Sequence, residues 1–168
     1  MIYLAWIFGI GGIVANILIF QQKNRKNLLR TKLLADISWT IHYSFLAAWS
    51  GAAVCGIGII RESVFLQKPR KWASSPLWLI LFFLCSLVSA VLTWKSPFSI
   101  LPAFASMLSI LSFWIGNPKL TRWLQIPISL SFLAYNVTVV SVTGILNEAL
   151  TLTSIIIAFI RLAQIPQK

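Results

Sequence analysis

The sequence predicts an all-α, polytopic membrane fold of seven transmembrane helices, arranged as two parallel three-helix repeats joined by a linker helix. Three observations predict it: long charge-free runs, basic residues gathered between them, and a register of identities 93 positions apart. Of 168 residues, 58% are hydrophobic and 10% charged, with a mean hydropathy of +0.86, against about a quarter charged in a soluble globular domain. The charge-free runs cover 1–22, 37–60, 72–94, 96–118 and 123–147, each near or above the roughly 20 residues that cross a bilayer as helix. A net charge of +11 could suit nucleic acid. The Lys and Arg fall between apolar runs, however, where they orient a membrane protein. The expected partner is the lipid bilayer, with no nucleic acid.

The first helix is expected over Ile2–Phe20, opening MIYLAWIF with no basic residue ahead of it, so it is read as retained and not as a secretory leader. QQKNRKNLLRTK follows, a basic loop that stays in the cytoplasm. The second helix covers about Leu28–Ala47, the uncharged AAWSG turn leads to a third over Gly51–Leu66, and QKPRKW is the next basic linker. The fourth, SSPLWLILFFLCSLVSAVLTW, reads as a lipid-facing connector. Lys95 and Pro97 mark the turn into a fifth helix over Phe98–Ile115, with Pro102 in its first turns; Pro127 interrupts a sixth over Leu120–Val140; the seventh covers Gly144–Leu162. Seven crossings with a cytoplasmic first loop put thirteen of the fourteen Lys and Arg inside and only Lys95 outside. The N-terminus is then external and the C-terminus cytoplasmic. Gly9, Gly11, Gly12, Gly51, Gly56 and Gly58 are expected where helices approach closely.

A shift of 93 positions matches Phe20 with Phe113, Asn24 with Asn117, Lys26 with Lys119, Ser38 with Ser131 and Gly51 with Gly144. It also sets Trp39 against Phe132, His42 against Tyr135 and Tyr43 against Asn136. The register divides the chain into a first repeat at 1–67, a linker with the fourth helix at 68–95 and a second repeat at 96–168. An odd number of helices per repeat, plus one connector, makes the repeats parallel, with any substrate site near the midplane between them.

Residues 33–43, LLADISWTIHY, place ionisable and amphipathic side chains inside an apolar segment. At about 100° per residue, Asp36, Trp39, Thr40 and Tyr43 share one arc, and Ser38 and His42 a separate stripe. An ionisable group at bilayer depth costs a few kcal/mol and turns toward a cavity or partner. Asp36, Trp39, His42 and Tyr43, with Phe132, Tyr135 and Asn136 from the sixth helix, are therefore the candidate solute-binding residues. Each has a plainer alternative: Asp36 an ion pair with Lys32 four residues before it, His42 a buried imidazole bonded to a neighbouring helix, the aromatics simple packing. Arg61 and Arg161 are read as reaching lipid head groups at the inner surface, or guarding an exit. Asn147 and Glu148 are read as a solvated cap near the outer end of the last helix. Cys55 and Cys85 lack partners at metal spacing. One His, two separated cysteines and three acids make no catalytic constellation, so no enzyme, metal or cofactor is expected.

The layout of two three-helix bundles and a linker resembles the SWEET, PQ-loop and PnuC class of small transporters, although Gln21-Gln22 stands where a Pro-Gln pair would. A closer resemblance, over nearly the whole chain, is to the YgjV family of bacterial inner-membrane proteins. It is carried by His42, by GAAVCGIGIIR ending at Arg61, and by Asn136, Ser141, Gly144, Glu148 and Ile160-Arg161. Gly58 and Tyr135 stand where that family would place Asn and His. The resemblance implies the bacterial inner membrane. The expected function is a transporter or facilitator of a small polar solute, with a receptor or structural partner of a membrane complex as alternative and room for a homo-oligomer.

Overall fold

The computed structural model describes residues 2–22 and 24–163, with all their side chains but those of 20, 21, 118, 119 and 158–163. These residues form seven α-helices: α1 Ile2–Gln21, α2 Arg25–Phe45, α3 Trp49–Leu66, α4 Leu77–Leu92, α5 Ile100–Ile115, α6 Pro118–Thr138 and α7 Val142–Ala163, with a short 3-10 turn at Pro97–Ser99. Three stretches, Ile2–Ile19, Trp49–Leu66 and Pro97–Ile115, are long and apolar enough to cross a membrane, and α4 and residues 142–157 are shorter apolar helices.

Local chemistry explains where the helices begin and end. α2 starts three residues earlier than hydropathy indicates, because the Asn24 side chain caps it by accepting the Lys26 N–H at 2.9 Å. The basic run that follows is made of good helix formers. Asn117, its counterpart at +93, likewise accepts the Leu120 N–H at 3.4 Å ahead of α6. α5 ends at Gly116, whose φ of 68° supplies the left-handed closing residue. Pro127 sits inside α6, where the Ser131 hydroxyl bonds its carbonyl at 2.7 Å.

The bounds of α2 and α6 recur at a shift of 93, and α3 and α7 start at the same shift. The turns between them repeat bond for bond. Ala48 N–H reaches Tyr43 O and Ser141 N–H reaches Asn136 O, both at 2.9 Å; Ala47 N–H reaches Ser44 O and Val140 N–H reaches Val137 O. This pair of bonds is the Schellman closure of a helix. Its left-handed position falls on Ala47 (φ 51°) and Val140 (φ 53°), where glycine is usual.

α1 packs on α2, α2 on α3, α5 on α6 and α6 on α7, while α3 meets α5 and α1 meets α7. One core cluster joins Trp39, Tyr43 and Tyr135 to small residues of α1, α2 and α3; another joins Leu29, Phe65, Phe82 and Ile110. Ile7, Ile10 and Val14 of α1 and Leu84, Leu87, Val91 and Leu92 of α4 point outward. Apolar side chains face outward, while all three acidic residues are turned inward, as a bilayer favours.

Left-handed non-glycine residues cost about 1–3 kcal/mol each. Val140 is 75% exposed, so Val140→Gly removes that cost without opening a cavity. It is expected to raise the thermal unfolding midpoint in detergent, Ala47→Gly to raise it less, and Val140→Pro to lower it by breaking the Val137 bond.

Candidate functional site

The buried face of α2 carries Leu29, Ala35, Asp36, Trp39, His42 and Tyr43. The two polar stripes expected from helical angles converge here, because Trp39 and His42 meet edge-on, with ring centroids 5.2 Å apart. α1 makes room for them. A Cβ on Gly12 would lie 2.6 Å from the Trp39 ring, so the indole rests on bare backbone.

His42 is 2% exposed and bonded at both ring nitrogens. Its Nδ1 lies 2.7 Å from the Ala5 carbonyl, which can only accept, so Nδ1 carries the proton. Nε2 then accepts from the Ser141 hydroxyl at 2.8 Å, and Ser141 Oγ accepts the Gly144 N–H at 3.1 Å. One imidazole thus joins α1, α2 and the start of α7. Tyr135, at +93 from His42, accepts the Gly51 N–H at 3.1 Å at the start of α3. Between these two latches, Tyr43 donates to Asn136 Oδ1 at 2.9 Å, and the Tyr43 and Tyr135 rings meet at 6.1 Å.

Five of the seven expected solute-binding residues, Trp39, His42, Tyr43, Tyr135 and Asn136, are therefore brought together. The other two are not. Phe132 packs with Val54, Ala90 and Ala103 on another side of α6, and Asp36 turns to an ion cluster with Lys32 and Arg61. The Asn136 amide nitrogen is buried without a partner among the described residues, and such a donor costs about 1–3 kcal/mol.

The ion cluster holds Lys32, Asp36, Arg61 and Glu62. Arg61 grips Glu62 with both ends of its fork, Nε–Oε2 at 3.0 Å and Nη2–Oε1 at 2.9 Å. Its Nη2 lies 3.7 Å from Asp36 Oδ2, while Lys32 donates to Asp36 Oδ1. Gly58 creates the space, since a Cβ there would collide with the Asp36 carboxylate.

Arg61 was expected to reach lipid head groups. It is instead 3% exposed and Glu62 is not exposed at all, because the fork is neutralised by a carboxylate on the next residue and by a second across α2. The cations that do line a surface groove, of about 350 Å³, are Lys26, Arg30 and Arg70. Nearby, Lys68 bonds the Trp114 carbonyl at 2.7 Å, and partial burial together with Arg25 pushes its ammonium below the usual lysine range.

Asn147 and Glu148 are likewise not a solvated cap. They are 6% and 8% exposed, because α7 turns them inward against α1 and α6. Asn16 donates to Asn147 Oδ1 at 2.9 Å, and Asn147 donates to Glu148 Oε1 at 2.8 Å. Ser129 of α6 stands near the Glu148 carboxyl, and Gln125 donates to Ser129 at 3.2 Å. The Arg161 side chain lies outside the described residues. Sequence reasoning missed Ala5, Asn16, Gln125 and Ser129 as partners, and Thr143, whose hydroxyl lies 3.4 Å from His42 Nε2. The shift of 93 held one signal for them, since it sets Lys32 and Asp36 against Gln125 and Ser129. Among the described residues, no His, Cys, Asp and Glu gather as a metal would need.

A greasy exterior around an interior that hides all three acids of the chain defines a helical membrane protein with a polar core. The chain belongs to the Imp-YgjV family of bacterial inner membrane proteins, which it matches over residues 3–165. No curated protein and no solved structure matches it.

Removing one member of a buried ion pair costs about 3–5 kcal/mol, whereas replacing both by apolar groups of similar volume is often neutral. Arg61→Ala is expected to lower stability by that amount, and the double variant Arg61→Met, Glu62→Met by much less, measured by urea or thermal unfolding in detergent.

Proposed function

We propose that this chain is a transporter or facilitator of a small polar solute in the bacterial inner membrane. In this reading all seven helices cross, with the N-terminus outside and the C-terminus cytoplasmic. Residues 1–67 and 96–168 form two parallel triple-helix units of SWEET-like plan, joined by 68–95. The observation that carries it is the hydrogen bond from Tyr43 to Asn136 across exactly one repeat length, 93 residues. Equivalent positions meet each other where a twofold axis passes between two units, and in parallel-repeat transporters that axis runs through the solute site.

The matched latches support the same reading. His42 and Tyr135 each hold the start of the third helix of one unit through Gly144 and Gly51, and each bond is of a strength that solute binding can offset. Breaking them lets the units rock apart and frees the Tyr43 hydroxyl and the Asn136 amide for a polar ligand. The unpartnered Asn136 nitrogen marks where such a ligand gains most. A non-transporting receptor is the second reading, favoured by how fully the Trp39, Tyr43 and Tyr135 rings fill the space between the units.

Screening sugars, nucleosides, vitamins and organic acids for thermal stabilisation should yield a ligand, since binding the folded form raises its stability. Uptake of that ligand into proteoliposomes is expected for the wild type. Asn136→Ala should reduce uptake about tenfold or more, the equivalent of one lost buried hydrogen bond. Stabilisation without uptake selects the receptor, and unchanged uptake in the variant removes Asn136 from the site.

A further inference from the structure

The three acids of the chain share burial but not company. Glu62 is gripped by the Arg61 fork, and Asp36 is held by Lys32 with Arg61 behind it. Glu148 is different. Among the described residues no Lys, Arg or His nitrogen lies within 4.0 Å of its carboxylate. Its hydrogen-bond partner is the Asn147 amide at 2.8 Å, with the Ser129 hydroxyl nearby; both are neutral and both under 9% exposed.

The elements around it bring little compensation. α1 supplies Asn16, which is spent on Asn147; α6 supplies Ser129 and Gln125, both uncharged. α2 supplies the Tyr43 phenol and Lys32, whose field reaches Glu148 but whose ammonium is committed to Asp36. An ionised carboxylate without a cation in a dry interior costs many kcal/mol, and such a group neutralises itself by keeping its proton. The paired acids have no such need, because two cations and two anions already balance.

We propose that Glu148 is an intramembrane proton-binding site: it holds a proton in this closed arrangement and releases it when α1, α6 and α7 part and water enters. The proton leaves to water and the carboxylate stays, so nothing else is consumed. Resting on the transporter reading, the proton is then the ion exchanged with solute movement. Glu148 lies seven residues into α7, about 10 Å from its start, on a polar line from Asn16 through Asn147 and Ser129 to Gln125.

Dicyclohexylcarbodiimide, an apolar reagent, tests the site directly on the full chain in native membranes or detergent. It reacts with a carboxyl group that carries a proton: the proton passes to a reagent nitrogen, the carboxyl oxygen bonds the central carbon, and rearrangement leaves a stable N-acylurea. Peptide mass spectrometry across a pH series should find the adduct on Glu148 and not on Asp36 or Glu62. Its rate should fall about tenfold per pH unit once the midpoint is passed. Glu148→Gln should abolish labelling while keeping the chain monodisperse and its unfolding transition intact. Ser129→Ala, which removes a neighbour of the carboxylate, should leave labelling in place.

Absence of label on Glu148, labelling indifferent to pH, or equal labelling of all three acids overturns the assignment. So does protection by sodium chloride but not choline chloride at constant pH, which would make the site one for a metal cation. The transporter reading fails separately, if Glu148 labels as described and yet no stabilising solute is taken up. Coupling fails alone if uptake occurs with the same pH dependence in wild type and Glu148→Gln.

Discussion

Ionised carboxylates can stay charged away from water only beside a cation, and otherwise they give up the charge. That constraint organises the interior here, because all three acids lie inside a shell of Ile, Leu and Val. The chain meets it in two ways. For Asp36 and Glu62 it recruits Lys32 one turn away and Arg61 at the adjacent position, so that four charges close on themselves. For Glu148 it provides only an amide and a hydroxyl. One side of the bundle is thus electrostatically settled, and the other holds a group whose charge depends on whether the helices are open.

The two sides occupy corresponding places. Gln125 and Ser129 stand at the shift of 93 from Lys32 and Asp36, and each pair is joined within one turn of its helix. The second pair has the i, i+4 spacing of the first but carries no charge. The same divergence appears at the latches, where Tyr135 takes a backbone N–H directly and His42 reaches its own through Ser141. At this shift the turns correspond bond for bond while the interior chemistry differs. Asymmetry of that kind lets one half hold charge while the other changes it.

Packing follows from the same economy of space. Trp39 and Asp36 reach their positions only because Gly12 and Gly58 carry no side chain, which lets bulky or charged groups of α2 sit against the backbone of α1 and α3. Hydrophobic residues then do little of the specifying. Lipid is as apolar as leucine, so the polar contacts and small-residue approaches choose which helix meets which.

The sequence by itself determined the membrane class, the helix count among the described residues and the shift of 93 at which helix bounds recur, since hydropathy, basic punctuation and a fixed shift are all local or one-dimensional signals. It also carried the Lys32–Asp36 pair, which one helical turn brings together. Tertiary structure decided whatever needed a second helix. Arg61 was read as surface-seeking because it lies in the last turns of its helix, ahead of the basic linker QKPRKW, and only the approach of α2 at Gly58 shows it turned inward. Asn147 and Glu148 resembled a cap because they lie near the start of theirs, until Asn16 arrived from the first helix and Ser129 from α6. Phe132 shares a repeat position with Trp39 but not its surroundings, because side-chain direction depends on which neighbour lies opposite, and no period along one helix records that.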